Sequence, residues 1–327
     1  MKKVVITDYE YADVEKERQI IAGAGFRLEA LQCKNEQEVI DACRDADAVI
    51  VQYCMISRKV IEAMEHCRMV IKYGIGVNNI DSEAATEKGI YVCNVPDYGV
   101  DEVSNHAITL LMALSKKLPV IMQAMRRGAW GYESIVPLRR MQGLTLGLVG
   151  LGRIPKLVAK KMSNFGLKIL AFDPYMSMDE AERLGVRLAD FHTLCRESDY
   201  ISIHCPLTED TRHIFNKETF REMKPTALLV NTARGPVICE QDLIKALKQG
   251  EIAGAGLDVY EDEPLDKNSE LLKMEQVICT PHCAWYTEDA VSAVQSKAAE
   301  EVVNVLSGNE PWNAVNRKAL ALRKSAG

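Results

Sequence analysis

Aromatic side chains are scarce in this chain, 6% of 327 residues, and the net charge is -6. No basic stripe with interleaved aromatics occurs, so nucleic acid is not an expected partner. Long apolar runs are missing too. The longest, such as residues 110–114, fall far short of the ~20 residues that span a bilayer, so no membrane partner is expected. The N-terminal run Val4-Val5-Ile6 reaches Asp8 too soon for the apolar region of a signal peptide and reads as a first buried strand. The ten cysteines include no CxxC pair. That spacing fits reduced thiols in a cytoplasm rather than a disulfide framework. One local group, Cys279-x-x-His282-Cys283, has no second cluster at a spacing that would complete four zinc ligands, so no metal is expected. Basic residues gather near the end, at Arg317, Lys318, Arg323 and Lys324, and read as a solvated tail.

What is present is enough for two cores. Hydrophobic residues make up 47% of the chain and charged ones 26%, over a length of about two domains of roughly 150 residues each. Strand-like runs at 4–6, 26–31, 48–51, 69–72 and 91–93 alternate with helical stretches such as 14–24 and 36–43. After residue 143 the alternation restarts, with strand candidates at 145–149, 168–172, 200–204, 228–231, 254–257 and 277–280. Repeated βα units imply parallel sheets with helices on both faces. The fold class is therefore α/β, with two doubly wound parallel-sheet domains. The first is flavodoxin-like, over 1–97 plus 290–327, and is completed by the C-terminal helix at 288–306. The second is a Rossmann unit over 98–289. A single long buried helix is expected at 101–118, with Asp101 and Glu102 at its start and Pro119 just past its end.

Between the strand at 145–149 and the next helix stands Gly150-x-Gly152-Arg153-Ile154-Pro155. This is a dinucleotide-binding loop in the right context, but a proline replaces its third glycine. The pyrophosphate needs free N–H groups at the helix start, here those of Arg153 and Ile154. The third glycine serves helix-to-strand packing instead, so Pro155 is expected to displace the helix slightly and to disfavour α geometry at Ile154 without abolishing the site. Asp173 ends the next strand, about 20 residues on, where a carboxylate bonds the ribose hydroxyls and repels the 2′-phosphate of NADP. NAD is thus the expected cofactor. The plain alternative for Asp173 is a turn-forming Asp-Pro.

Three further stretches follow predicted strands: Asn231-Thr232-Ala233-Arg234-Gly235, Asp258-Val259-Tyr260-Glu261-Asp262-Glu263-Pro264 and Thr280-Pro281-His282-Cys283-Ala284-Trp285. Arg234, Glu263 and His282 suit the reduction of a 2-oxo acid. The histidine exchanges a proton near neutral pH, the glutamate holds the imidazolium and raises its pKa, and the arginine engages carboxylate and carbonyl oxygens. Taken singly, the three also read as an ion pair, a turn residue and a core histidine. Their grouping favours a site.

With these motifs, and over essentially its whole length, the chain resembles the D-isomer-specific 2-hydroxyacid dehydrogenases. The resemblance implies that His282 is the general acid/base, Glu263 its partner and Arg234 the substrate-orienting cation. It implies that Asp258 hydrogen-bonds the nicotinamide carboxamide. It further implies that Cys205, Pro206, Thr211, Thr232 and Ala233 line the cofactor, with Arg234 and His282 among its contacts. Lys72-Tyr73-Gly74-Ile75-Gly76 resembles the family's substrate loop, Lys72 being otherwise a solvated strand-end residue. Related formate dehydrogenases carry glutamine where this chain has Glu263. Trp285, three residues past the histidine, resembles the C-terminal-binding-protein branch and is expected to wall the substrate pocket, or else to pack in a core. Tyr53, Tyr73 and Tyr98 are further pocket candidates. By the same resemblance the protein is expected to be a homodimer joined through its cofactor domains, with Trp130 and Tyr132 in the joining segment, and the cleft between domains is expected to close on substrate. Two other readings stay open: an NAD(H)-responsive scaffold that recruits peptides, and a dehydrogenase of another small anion such as phosphite.

Overall fold

A computed structural model describes residues 1–318, 320 and 321. Arg323 and Lys324 lie outside the described residues. Arg317 is not a freely solvated tail residue, because its guanidinium donates to the carbonyls of Pro311 and Trp312. The chain divides into two units. One is Met1–Gly99 with the chain from Thr287 onward, and the other is Val100–Tyr286.

The first unit is built on strands β1 (Lys3–Ile6), β2 (Arg27–Ala30), β3 (Ala48–Val51), β4 (Met69–Lys72) and β5 (Tyr91–Cys93). They form one sheet in the order β2-β1-β3-β4-β5, every pair parallel. Side chains alternate across a strand, so each strand feeds two cores. Val4, Ile6, Ala48, Ile50, Met69 and Ile71 enter one core, with Ile21 of the helix Glu15–Gly23 and Val294, Ala298 and Val302 of the helix Glu288–Leu306. Val5, Val49, Val51, Val70 and Val92 enter the other, with Val39, Val60 and Ile61. Each large side chain so buried contributes about 1.5–3 kcal/mol before conformational entropy is counted. The strand order reverses between β1 and β3, which places a crevice beyond their carboxyl ends.

The second unit is built on β6 (Thr145–Val149), β7 (Lys168–Phe172), β8 (Arg187–Leu188), β9 (Tyr200–Ile203), β10 (Leu228–Asn231), β11 (Gly254–Leu257) and β12 (Val277–Cys279). Their order is β12-β11-β10-β9-β6-β7-β8, again parallel, with the reversal between β6 and β9. The sequence pattern gives six strands here. The seventh, β8, has two residues, too few to carry a period-of-two signal.

The expected single helix at 101–118 is two helices. Val100–Ser115 packs Ala107, Leu110, Leu111 and Leu114 into the core of this unit. Lys117 then takes a left-handed φ of 48°, and Leu118–Arg126 sets off at 59°. Pro119 does not end the first helix but sits in the first turn of the second, where its missing N–H costs nothing. Among the described residues no single helix is long and apolar enough to cross a membrane, and the bent pair passes that test only when taken together.

Candidate active site

The loop that closes β6 is shaped by the chain leaving β9. Gly150 has a φ of +94°, and a Cβ there would stand 3.1 Å from the backbone of His204 and Cys205. The loop is tied on both sides, Gly150 N–H donating to Phe172 O and His204 N–H to Val149 O. Gly152 caps the helix Arg153–Ser163, and a Cβ on it would meet nothing within 4 Å. Open space therefore borders the first helical turn, where the N–H groups of Arg153 and Ile154 have no intrahelical acceptor. Pro155 is buried at the third position of this helix and Ile154 remains helical. Ile154 thus keeps α geometry although Pro155 disfavours it there, because a first turn accommodates proline.

Asp173 does two things at the end of β7. Its Oδ2 accepts Leu151 N–H at 2.7 Å and its Oδ1 accepts Tyr175 N–H at 2.9 Å. It is thus both a turn residue and a brace for the glycine loop. Cys205 is buried, and burial pushes its thiol up to about 11, so it stays protonated. The following turn is closed by Thr211, whose hydroxyl donates to Pro206 O at 2.7 Å. At the end of β10, Asn231 folds Thr232, Ala233 and Arg234 into a loop, accepting Ala233 N–H at 3.0 Å and donating to Arg234 O at 2.9 Å. Among the described residues the Thr232 hydroxyl is buried with no hydrogen-bond partner, an arrangement that costs about 1–3 kcal/mol. An orphaned hydroxyl on one side and an open cradle at Gly152 on the other fit a dinucleotide along the carboxyl edge of this sheet.

The candidate catalytic groups leave three adjacent strands. Asn231, Leu257 and Cys279 are in register on β10, β11 and β12, so the segments after them emerge side by side. Gly235 lets two of these segments touch, since a Cβ there would lie 1.7 Å from Tyr260 O. Glu263 Oε2 then meets His282 Nδ1 at 2.6 Å, while its Oε1 accepts Tyr260 N–H at 3.0 Å. Burial pushes the Glu263 carboxyl up. The bond and charge of His282, the Tyr260 N–H and the charge of Arg234 outweigh it and hold the group below the usual carboxylate value. The Arg234 guanidinium also donates to Ala233 O at 2.6 Å.

His282 has a left-handed φ of 51°, a geometry few non-glycine residues adopt without being held. Asp258 holds it. Its carbonyl accepts His282 N–H at 2.9 Å, and its carboxylate accepts Cys283 N–H at 3.0 Å and Ala284 N–H at 2.9 Å. Oδ1 of the same carboxylate also takes the Thr280 hydroxyl at 2.6 Å, which in turn contacts His106 Nε2 at 3.0 Å. A carboxylate has about four acceptor positions, so Oδ2 keeps capacity for a further donor. Trp285 closes the turn, its indole N–H donating to His282 O at 3.1 Å.

Other predicted residues are placed differently. Tyr73 does not face a pocket. It is buried in the first unit, its hydroxyl donating to Glu17 at 2.5 Å. Among the described residues, Cys279, His282 and Cys283 are not brought together as a group of possible metal ligands. Instead, His106, Asp258 and Cys283 offer atoms within 4.8 Å of one another, with the carboxylate engaged by the donors just named. The sequence reading missed His106 and Thr280, which complete the Asp258 network, and the pair His213 and Glu261, which also bonds Glu240 N–H. A lone histidine on the helix Val100–Ser115 was the one visible hint of His106.

Comparison with known proteins places these features. Residues 108–284 match the family model described as D-isomer specific 2-hydroxyacid dehydrogenase, NAD binding domain. The chain is 39% identical over 318 residues to a D-3-phosphoglycerate dehydrogenase of Methanocaldococcus jannaschii, covering 97% of this chain and 60% of the relative. It is 37% identical over 300 residues to a glyoxylate reductase of Korarchaeum cryptofilum, covering 88% of each. It therefore spans only about 60% of the first relative's length and most of the second's. Among solved structures it resembles a D-lactate dehydrogenase of Aquifex aeolicus complexed with NAD and lactic acid, with a TM-score of 0.86, 28% identity, and 94% and 96% of the two chains covered.

Proposed function

Since this chain belongs to the D-isomer-specific 2-hydroxyacid dehydrogenases, NAD-dependent oxidoreductases acting on CH–OH donors, we propose that it reversibly reduces a small 2-oxo acid to the D-2-hydroxy acid. The observation that carries this reading is the 2.6 Å contact between Glu263 Oε2 and His282 Nδ1. A nicotinamide held at this site would supply the hydride or accept it. Glu263, held ionised, keeps a proton on Nδ1, which leaves Nε2 as the nitrogen that gives its proton to the substrate oxygen and takes it back in the reverse direction. Arg234 holds the substrate's carbonyl and carboxylate oxygens. The loop at 72–76 supplies backbone N–H groups and the Lys72 charge for the carboxylate.

For the cofactor, Gly150, Gly152, Arg153 and Ile154 cradle the pyrophosphate, and Asp173 takes the ribose hydroxyls and disfavours NADP. Thr232, Ala233, Cys205, Pro206 and Thr211 line it, and Asp258 offers Oδ2 to the carboxamide. Trp285 walls the pocket as well as bracing His282, and the likeness to the C-terminal-binding-protein branch rests on that residue. Two further readings draw on the surface and the thiols. The helix Leu118–Arg126 buries none of its residues, and Trp130 is 89% exposed, which supports a homodimer through this segment. All ten cysteines are unpaired, which supports a reducing compartment, the cytoplasm. The test is NADH consumption with 2-oxo acids graded by size and chiral analysis of the product. A D-hydroxy acid formed in step with NADH loss is expected, and an L-product or none would reject the proposal.

A further inference from the structure

Glu17 is a fully buried carboxylic acid that the proposed chemistry leaves unused. It lies on the helix Glu15–Gly23, one turn before Ile21, which is also fully buried. An apolar side chain would fill this helix face without the cost of taking a carboxyl out of water. The groups that Glu17 meets account for the carboxyl. The Tyr73 hydroxyl donates to its Oε1 at 2.5 Å, and Gln295 Nε2 donates to its Oε2 at 3.2 Å. The same Gln295 amide donates to Asp13 O at 2.8 Å, which ties the helix Glu288–Leu306 to the chain entering Glu15–Gly23. Tyr73 is 4% exposed, and the Tyr11 ring stands edge-on to it with the centroids 5.3 Å apart. Burial pushes the Glu17 carboxyl up, against the bonds from Tyr73, its own backbone N–H and Gln295. Charged or neutral, the carboxyl has an oxygen that accepts the Tyr73 hydroxyl.

Tyr73 is the middle residue of a tight turn where the chain leaves β4. Its N–H donates to Val51 O, Gly74 N–H folds back on Lys72 O, and Gly74 O accepts Val95 N–H, each at 2.9 Å. A turn of this kind is closed by one bond between its first and third residues. Gly74 follows at a φ of +141°, a conformation that side chains rarely adopt. The Tyr73 side chain is what holds the turn to the framework, its ring packed in the core and its hydroxyl fixed by Glu17. Lys72 stands on the alternate side of the chain, its ammonium 5.2 Å from the centre of the exposed Tyr53 ring. The loop at 72–76 is thus carried by a buried hydrogen bond that involves none of the groups offered to substrate.

We propose that Glu17, acting through the Tyr73 hydroxyl, is a positioning residue for the substrate loop, setting the turn at 72–74 and with it the affinity for the substrate carboxylate. This deepens the proposed reduction of a 2-oxo acid and rests on the role given above to the loop at 72–76. Glu17 takes no part in proton transfer or cofactor binding. Its effect is confined to how well the loop's N–H groups and Lys72 are aimed, so it is read in KM for the acid rather than in the handling of NADH.

The test measures kcat and KM for glyoxylate, pyruvate and 2-oxobutyrate, and the NADH dissociation constant, with melting temperatures alongside. The proteins are wild type, Tyr73→Phe, Glu17→Gln, Glu17→Leu and the double variant Tyr73→Phe, Glu17→Leu. Tyr73→Phe removes one oxygen and should raise KM for the acid by about tenfold, the worth of a fraction of an ångström at a binding group, with kcat falling much less and NADH affinity unchanged. Glu17→Gln keeps an oxygen that accepts the hydroxyl and should stay nearer wild type than Glu17→Leu. The double variant should be no worse in KM than Tyr73→Phe, because the two residues act through one bond. Should Glu17→Leu fail to fold, Tyr73→Phe against Glu17→Gln decides. Folded variants that keep the wild-type KM, a KM and an NADH constant that rise together, or effects that multiply in the double variant overturn the role of Glu17 and leave the dehydrogenase intact. A wild type that binds NADH and reduces none of the acids overturns the proposed function and this inference with it.

Discussion

Glu263 Oε2 and His282 Nδ1 lie 2.6 Å apart, although 19 residues separate them and they leave different strands. The contact fixes which imidazole nitrogen is left to exchange a proton. His282→Ala is expected to lower kcat/KM by about 10²–10⁴-fold, the usual contribution of a general acid/base, with NADH affinity changed little. Glu263→Gln keeps the shape and removes the charge. It should cost about 10-fold or more and move the pH profile of kcat/KM, read by steady-state kinetics across pH 5 to 9.

Gly235 and Tyr260 set how closely the arginine and glutamate segments approach. A Cβ at 235 would fall 1.7 Å from the Tyr260 carbonyl oxygen, so Gly235→Ala must push the segments apart. An ångström of displacement costs about 10²-fold in rate. The expected result is a kcat/KM down by at least that much, with a lowered melting temperature.

Asp173 carries both the loop brace and the proposed choice of NAD. Asp173→Asn keeps an acceptor for Leu151 N–H but removes the charge that faces a 2′-phosphate. The NADH to NADPH ratio of kcat/KM should fall by about tenfold or more. Asp173→Ala should instead weaken both cofactors, because the glycine loop loses its tie.

Much of this was legible in the sequence, and the reasons are physical. Strands β1, β3, β4, β6, β10 and β11 are short and apolar, and turn or loop residues bound them, so their period and position are plain. Gly150, Asp173, Arg234, Glu263 and His282 fall at strand ends, where ligands of such sheets bind. What could not be read were contacts that depend on distant segments. Asp258 spends its carboxylate on the His282 turn, and His106 comes to it from a helix more than 150 residues away. Tyr73 looked like a pocket residue because it stands in a substrate-type loop, yet Glu17 draws it inward. The split at Lys117 was hidden because a proline after a helical run reads as a stop, whereas it also starts helices.

His204 links stability to acid. It follows β9 and contacts the Ser202 hydroxyl at 2.8 Å, and burial alone holds its imidazole down to about 3 from 6.5. The unfolded chain therefore takes up a proton near 6.5 that the folded chain refuses until about 3. Stability should fall as pH drops through that window. Urea unfolding at pH 7 and pH 5 should show a loss in wild type that is smaller in His204→Gln.

Trp130 and Tyr132, 89% and 71% exposed, follow a helix whose Leu118, Met122 and Met125 also face outward. Sedimentation is expected to give twice the 36.5 kDa chain mass. A Trp130→Ser, Tyr132→Ser double variant should weaken the dimer by about tenfold or more. A wild-type monomer at micromolar concentration would reject this assembly.

The most direct measurement is NADH binding and NADH-dependent turnover of 2-oxo acids, run side by side on wild type and His282→Ala. The account predicts that both proteins bind NADH with similar affinity and that only wild type reduces a 2-oxo acid at an appreciable rate. Equal turnover by the two would contradict the role given to His282, and wild type that binds NADH but reduces no 2-oxo acid would contradict the assigned reaction.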